Sequence, residues 1–362
     1  MCGVFRSKFV ALAAAAVSVC ILASCGGGSN AATPKRTTTT APTTTTTPPP
    51  PVAPETGLPD PGGQSLTRPA MWVKIENLDV ARPQQGLVAA DVVYEQITEG
   101  DITRFIALFN STVPDIVGPI RSARVMDADV VTPLGGIFVY SGAVPNTVAL
   151  INAAPVNAVD EDKAGAAMFR DNTKYAPHNL FGHGAALFAL GGQPVPPPPL
   201  FQYLSGAQKF TGDGVLAFDV GFPSGFAVDY TYDPGSNTWK RSMSGQPFVV
   251  ATGEQVAPTN VIVQFVGCCV PGDEGARYQT VGQGDAWVFS NGQLIKGTWS
   301  RSDRTQVTKF TDATGQPIKL TPGKTWVEFA PVGTPVNVTP APVPATTVPP
   351  TTVPPTTKPK KK

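Results

Sequence analysis

The chain has 362 residues with 27 Lys/Arg, 26 Asp/Glu and two His, a formal charge of +1. Two histidines and five cysteines without a CxxC pair exclude a zinc scaffold and a disulfide framework. Residues 58–331 hold 19 Lys/Arg against 25 Asp/Glu, a formal charge of −6 between basic ends, and a net-acidic body argues against nucleic acid as the main partner.

The ends are the most explicit part of the sequence. Arg6 and Lys8 precede the apolar run Phe9 to Ala23, the order of an export signal that is removed rather than a transmembrane span. The run closes on "LASC", Leu22 to Cys25, which reads as a bacterial lipobox. Residues 1–24 are therefore expected to be a lipoprotein signal peptide, with Cys25 lipidated and the protein anchored on the extracytoplasmic face of the cell membrane. Two or more acyl chains at ~0.8 kcal/mol per buried CH2 suffice for stable anchoring. Residues 25–57 are Thr/Pro-rich with almost no large apolar residue, and they are expected to be a disordered, extended linker. Residues 332–362 repeat that composition, end in a basic cluster and are expected to be a disordered tail. Only Cys268 and Cys269 remain for an intrachain disulfide, and an adjacent pair is open to either redox state.

The span between these ends exceeds one average domain, and two are expected, 58–200 and 201–331. "MWVKIE" (Met71 to Glu76) alternates as a strand does. "ADVVYEQI" and "ITRFIALF" read as strands joined by a hairpin-type turn at Glu99-Gly100-Asp101. Pro119 suits the first turn of a helix, so "IRSARVMDADVV" is expected to be helical. "GIFVYSG" reads as a buried strand, "PNTVALINAA" as a helix started by Pro145, and "HNLFGHGAALFALGG" as a third helix stopped by glycines. Strand alternating with helix predicts a partly parallel sheet. Beyond the proline-rich junction Gln193 to Phe201 the pattern changes. "NVIVQFV" alternates, "AWVFSNGQLIKGTW" carries the hairpin signal Asn291-Gly292, "TQVTKFTDATGQPIKL" reads as another hairpin, and "KTWVEFAP" closes the series. The predicted fold class is thus α+β: an N-terminal mixed α/β domain and a C-terminal β-rich antiparallel meander. The five tryptophans fall mostly on strand patterns and are expected in the core.

The runs "ARPQQGLVAADVVYEQITEGDITRF", "GPIRSAR", "APHN", "NVIVQF", "GQGDAWVFSNGQLIKGTWSR" and "TPGKTWVEFAP" resemble the YerB-like bacterial lipoprotein family. The resemblance covers most of Arg68 to Pro331. It implies a membrane-anchored extracytoplasmic protein with two domains of unknown function, and it brings no reaction, substrate or cofactor. Its characteristic positions here include Glu95, Glu99, Arg104, Arg121, Ser122, Arg124, His178 and Asn179. Where the family often continues "RSAR" with aromatic residues, this chain has Val125-Met126-Asp127, which makes Asp127 and Asp129 poor carriers of a shared activity.

Arg121 and Arg124, three residues apart, would share one face of a helix begun at Pro119. Arginine forks bind carboxylate or phosphate bidentately, and a helix start favours an anion. Arg104, Arg121, Arg124, Ser122 and Asn179 are therefore the candidate ligand-binding residues. The structural alternative pairs the arginines internally with Glu95, Glu99 and Asp91. His178, Glu95 and Glu99 are the acid/base candidates, with Ser141 a weaker nucleophile candidate lacking a G-x-S-x-G setting. Asn179 and His178 read equally well as a helix cap or as donors to backbone carbonyls. No metal site and no cofactor are expected. The expected function is non-enzymatic binding or scaffolding at the cell envelope through an Arg/Glu-lined cleft, with cell-wall polymer or an envelope protein as partner. The alternative is an envelope enzyme acting on peptidoglycan or another wall glycan.

Overall fold

The computed structural model describes residues 50–191, 195–222, 227–268 and 278–342. The expected signal peptide, the lipidation site Cys25, the linker up to residue 49, Cys269 and the tail from residue 343 lie outside the described residues. Cys268 is disulfide-bonded.

β1 (Met71–Glu76) is buried along its whole length, including Lys74 and Glu76. β2 (Val92–Ile97) and β3 (Thr103–Phe109) form the antiparallel hairpin that the Glu99-Gly100-Asp101 turn predicts. β4 (Ile116–Val117) is short and leads to the first departure from expectation. The segment after Pro119 is not helical. Its backbone groups are spent on neighbouring chain instead: Glu76 N–H donates to Pro119 O, Arg121 N–H to Lys74 O, and Ala123 N–H to Gly142 O. Residues 120–124 therefore run without helix, and the helix α1 (Asp127–Val131) begins only after Met126.

β5 (Gly136–Val139), α2 (Pro145–Asn152) and β6 (Val156–Val159) follow the expected strand-helix-strand order, with β1, β5 and β6 parallel. Gly136 is at φ 85°, and a Cβ there would sit 2.2 Å from Ala70 O, so the tight β1–β5 approach requires glycine. α3 (Glu161–Ala164) and β7 (Met168–Arg170) lead to "LFGH", which forms β8 (Leu180–His183) in a three-stranded sheet with β4 and β7. Only α4 (Gly184–Ala189) realises the third expected helix.

The C-terminal half is β-rich. β9 (Asp213–Gly221), β10 (Ala227–Asp233), β11 (Thr238–Met243) and β12 (Gln246–Pro247) form an antiparallel run. β13 (Asn260–Val266), β14 (Gly282–Ser290), β15 (Gln293–Arg301) and β16 (Lys309–Asp312) continue antiparallel. Asn291 and Gly292 both take positive φ, 51° and 66°, as a two-residue primed turn demands. β17 (Thr325–Pro331) departs from the expected meander, because it pairs parallel to β13 on one side and to β2 on the other. Strands of both halves thus share one sheet, in the order β12-β11-β10-β9-β15-β14-β13-β17-β2-β3-β1-β5-β6. The fold is mostly sheet with few helices, with parallel pairs in its middle and at its β6 end and antiparallel strands toward the C-terminal half. Trp72, Trp239, Trp299 and Trp326 are in the core, as expected, while Trp287 is half-buried with Lys296 Nζ 3.8 Å above its ring.

Order extends past the expected boundaries at both ends. Ala53, Glu55 and Thr56 are buried, and Glu55 receives Leu200 N–H and the Tyr203 hydroxyl. Residues 336–340 form β18 (Val336–Pro340), an added strand on β9. Backbone pairing there outweighs a composition that reads as disordered.

The seam between halves carries buried charge. Arg241 on β11 donates to Glu95 Oε2 at 2.7 Å, and neither side chain is exposed to solvent. Glu95 and Glu328 face each other in the β2–β17 register. Burial works against the Arg241 charge, but Glu95, with Tyr230 and Glu328, outweighs it and holds the guanidinium's pKa above its ordinary value. Burial and the neighbouring Glu95 raise Glu328 well above the carboxylate range. This shift favours the neutral carboxyl, and Tyr230 donates to Glu328 Oε1 at 2.6 Å. The two glutamates should respond oppositely to amidation. Glu328→Gln preserves a neutral group and should stay within about 1 kcal/mol of wild type near neutral pH. Glu95→Gln leaves Arg241 unpaired and should cost about 3–5 kcal/mol. A raised pKa also means that the folded state binds more protons than the unfolded one above the ordinary carboxylate pKa. Wild-type stability should then fall with rising pH relative to Glu328→Gln. Urea unfolding of the three proteins across pH checks both statements.

Candidate functional site

β1, β2, β5 and β6 run in one direction and β3 in the other, so the carboxyl ends of the parallel strands meet the start of β3 at one edge. Open sheets with parallel strands bind ligands in the crevice at such ends. Glu76 closes β1, Glu99 lies two residues past β2, Ser141 two past β5, and Arg104 is the second residue of β3. β1 and β5 pair directly only over Met71 to Val73 and Ile137 to Val139. Beyond that point residues 119–123 wedge between them, with Arg121 N–H on Lys74 O and Ser141 N–H on Arg121 O. The wedge delivers Arg121, Ser122 and Arg124 to the crevice.

Asp127 holds the far end of the wedge. It accepts from Lys74 Nζ at 2.8 Å, Gln96 Nε2 at 2.6 Å and Arg124 N–H at 2.8 Å, all in the interior. Burial lowers the Lys74 pKa to about 8, opposed by Asp127 and assisted by the charges of Arg104 and Arg124. Asp129 pairs with Arg304 and thus braces the two halves.

The expected arginines each take a different partner from the one a shared helix face implies. Arg121 Nε donates to Glu76 Oε1 at 3.1 Å. Arg124 Nε stands in ion-pair contact with Glu99 without hydrogen-bond alignment, and its Nη1 donates to Ser122 O and Ala123 O. Arg104 Nη1 lies 3.9 Å from Glu99 and 3.4 Å from Ser122 O. Its side chain is 5% exposed, yet its Nε has no partner. Burial, then the like charge of Arg124, lowers the Arg104 pKa to about 10. Burial raises the Glu99 pKa, but Arg124 and Arg104 overcome this and hold it below the usual range.

His178 Nδ1 contacts Glu76 Oε2 at 2.9 Å, so one fully buried carboxylate holds both His178 and Arg121. Glu95 is not at the crevice; it faces Arg241, Thr103 and Trp326 in the core. Asp91 receives Asn110 N–H and the Ser111 N–H and hydroxyl. Asn179 is buried and bonds Arg170, Asp171 O and Lys174 O, so it shapes the loop before β8 and does not face a ligand.

A cleft of ≈ 320 Å³ opens here, lined by Glu99, Ser122, Arg124, Ser141 and the loop Gly142 to Val144. Of the residues singled out from sequence, Glu99, Ser122, Arg124 and Ser141 line this cleft, while Lys74, Arg241 and Glu328 were not singled out. The alternation of "MWVKIE", which puts Lys74 and Glu76 on one strand face, was the available signal for the first. Among the described residues no cluster of three or more His, Cys, Asp or Glu is suited to a metal ion, and no helix is long and apolar enough to cross a membrane.

Residues 55–192 match the family described as "Protein of unknown function (DUF3048) N-terminal domain", and residues 218–327 match its C-terminal domain. "Putative lipoprotein YerB" of Bacillus subtilis (strain 168) is 29% identical over 294 residues, spanning 77% of this chain and 86% of that protein. The crystal structure of YerB protein from Bacillus subtilis superposes with a TM-score of 0.71 at 25% identity, covering 79% of this chain and 99% of that one.

The contacts assign Asn179 a structural task and separate it from the cleft. Asn179→Ala should lower stability by about 1–3 kcal/mol through lost buried hydrogen bonds. Thermal melting reads this loss, and proton spectra should leave Ser122 and Ser141 unshifted.

Proposed function

We propose, for a chain that belongs to the YerB-like family built from the two DUF3048 domains, that it is an exported, lipid-anchored protein whose cleft captures an anionic group of the cell envelope. Anchoring rests on the signal pattern and lipobox ending at Cys25, and on a relative described as a lipoprotein. The Thr/Pro-rich linker suits a body held away from the membrane within reach of wall polymer.

The observation that carries the reading is a surplus of positive charge among the side chains that line and back the cleft, of which Arg124 and Glu99 are in its lining. Arg104, Arg121 and Arg124 are gathered around two carboxylates, Glu76 and Glu99. The unpartnered Nε of the buried Arg104 and the like-charge crowding around it describe a cluster one anion short of balance. An anion entering the cleft restores that balance where water is largely excluded.

A second reading draws on the His178–Glu76 contact. A carboxylate on Nδ1 fixes the ring and leaves Nε2 without a partner among the described residues, as a general base requires. Wall-glycan hydrolysis by His178 would follow, and release of soluble fragments by wild type but not His178→Ala is its signature.

Binding is tested with the purified full chain and anionic wall polymer, against a neutral glycan of similar length. Arg124→Ala should weaken polymer binding about tenfold to a hundredfold, as loss of a charge-assisted contact does, and added salt should weaken wild-type binding. Equal affinity of wild type and a folded Arg121→Ala/Arg124→Ala double variant refutes the capture site.

A further inference from the structure

The cleft has two unlike walls. One is Arg124, whose Nε and Nη1 are committed while Nη2 has no partner among the described residues. The other is the loop that starts α2. There the Ser141 hydroxyl and the backbone N–H groups of Gly142, Ala143 and Val144 find no acceptor among the described residues. α2 is eight residues long with Pro145 at its start, and no side chain caps it. Its first free N–H groups therefore add positive potential at this wall. Ser122 also lines the cleft, and its hydroxyl makes only a 3.5 Å contact to Ser141 O. Behind them stands Arg104, buried with an unpartnered Nε.

We propose that the anionic group captured in this cleft is a phosphodiester, seated between Arg124 and the Ser141 to Val144 loop; this rests on the anion-capture reading above. Three arginines against two carboxylates in and behind the cleft favour an anion of single charge. A carboxylate and a phosphodiester both satisfy that count, and geometry separates them. A carboxylate presents two oxygens in one plane, which suits a single arginine fork. The donors here are divided between two chain segments, Arg124 and the Ser141 to Val144 loop. A tetrahedral phosphodiester directs one non-bridging oxygen to Arg124 and the other to the Ser141 hydroxyl and the loop N–H groups. Its two ester oxygens are left to carry the alcohol chains out through the mouth. Glu99, half-exposed on the rim, is placed to accept a hydroxyl of such an alcohol.

Titration calorimetry on the detergent-solubilised full chain tests this with glycerophosphoglycerol as the phosphodiester and N-acetyl-D-alanine as the carboxylate, at one ionic strength. The phosphodiester should bind at least tenfold more tightly, and Ser141→Ala should weaken it about tenfold while leaving the carboxylate unchanged. A glycerol phosphate oligomer and soluble dihexanoyl phosphatidylglycerol distinguish polymer from lipid as the source, and tight binding of either supports the assignment. Equal or tighter binding of N-acetyl-D-alanine overturns the phosphodiester and leaves anion capture standing. Binding of neither class, with wall polymer also unbound, overturns both.

Discussion

Arg241 is the group on which the arrangement of the two halves turns. It is a guanidinium without solvent exposure, carried by β11 and stacked 4.2 Å from the Phe248 ring centroid and 5.0 Å from that of Trp326. Its anion comes from the other half, from Glu95 in the middle of β2. A buried pair of this kind contributes little net stability compared with apolar packing, but mispairing it is costly. What it secures is register. Because β2 and β17 align Glu95 with Glu328, a one-residue slip of β2 would turn Glu95 to the opposite face and strand the arginine. The raised pKa of Glu328 belongs to the same constraint, since burial and the neighbouring Glu95 both disfavour its charge.

The cleft inherits its geometry from that register. β2 ends at Ile97 and turns through Glu99 into β3, so fixing β2 fixes where Glu99 meets Arg104 and Arg124. The wedge of residues 119–123 is fixed from the other side by Lys74–Asp127, a second pair without solvent exposure. Burial first and then the like charge of Arg124 lower the pKa of Arg104, so the cluster is held against its own repulsion. The fold supplies this tension through contacts on the far faces of the same strands, which is why the cluster does not simply swing apart.

The sequence made the local features legible and left the long-range ones hidden. Asn291-Gly292 announced its hairpin because two consecutive positive φ angles have few residue solutions. The β2–β3 turn and α2 were equally local. The segment after Pro119 misled for the same reason: Pro followed by a good helical pattern is a local signal, whereas its fate was decided by free backbone groups on β1 and after β5. Glu95 and Glu99 look alike in sequence, four residues apart. One is buried against an arginine 146 positions away and the other lies on the cleft rim. β17 gave no hint that it lies parallel between β13 and β2, because strand patterns carry period but not partner. Glu328 and Arg241 escaped notice since nothing near either residue marks it as half of a buried pair.

The division of labour among the arginines follows from these placements. Arg241 has no access to solvent and serves the seam. Arg121 shares the buried Glu76 with His178, so its Nε is committed and only its terminal nitrogens remain open. Arg124 is the arginine on the cleft wall, and half of its capacity is spent on the backbone of the wedge that positions it. Arg104 is too deeply buried to reach a ligand, so it acts through its field. In the proposed phosphodiester site, anions would be distinguished by shape more than by charge, because the donors in the cleft lining are divided between the Arg124 guanidinium and a turn of backbone, while Arg104 is not among the lining residues.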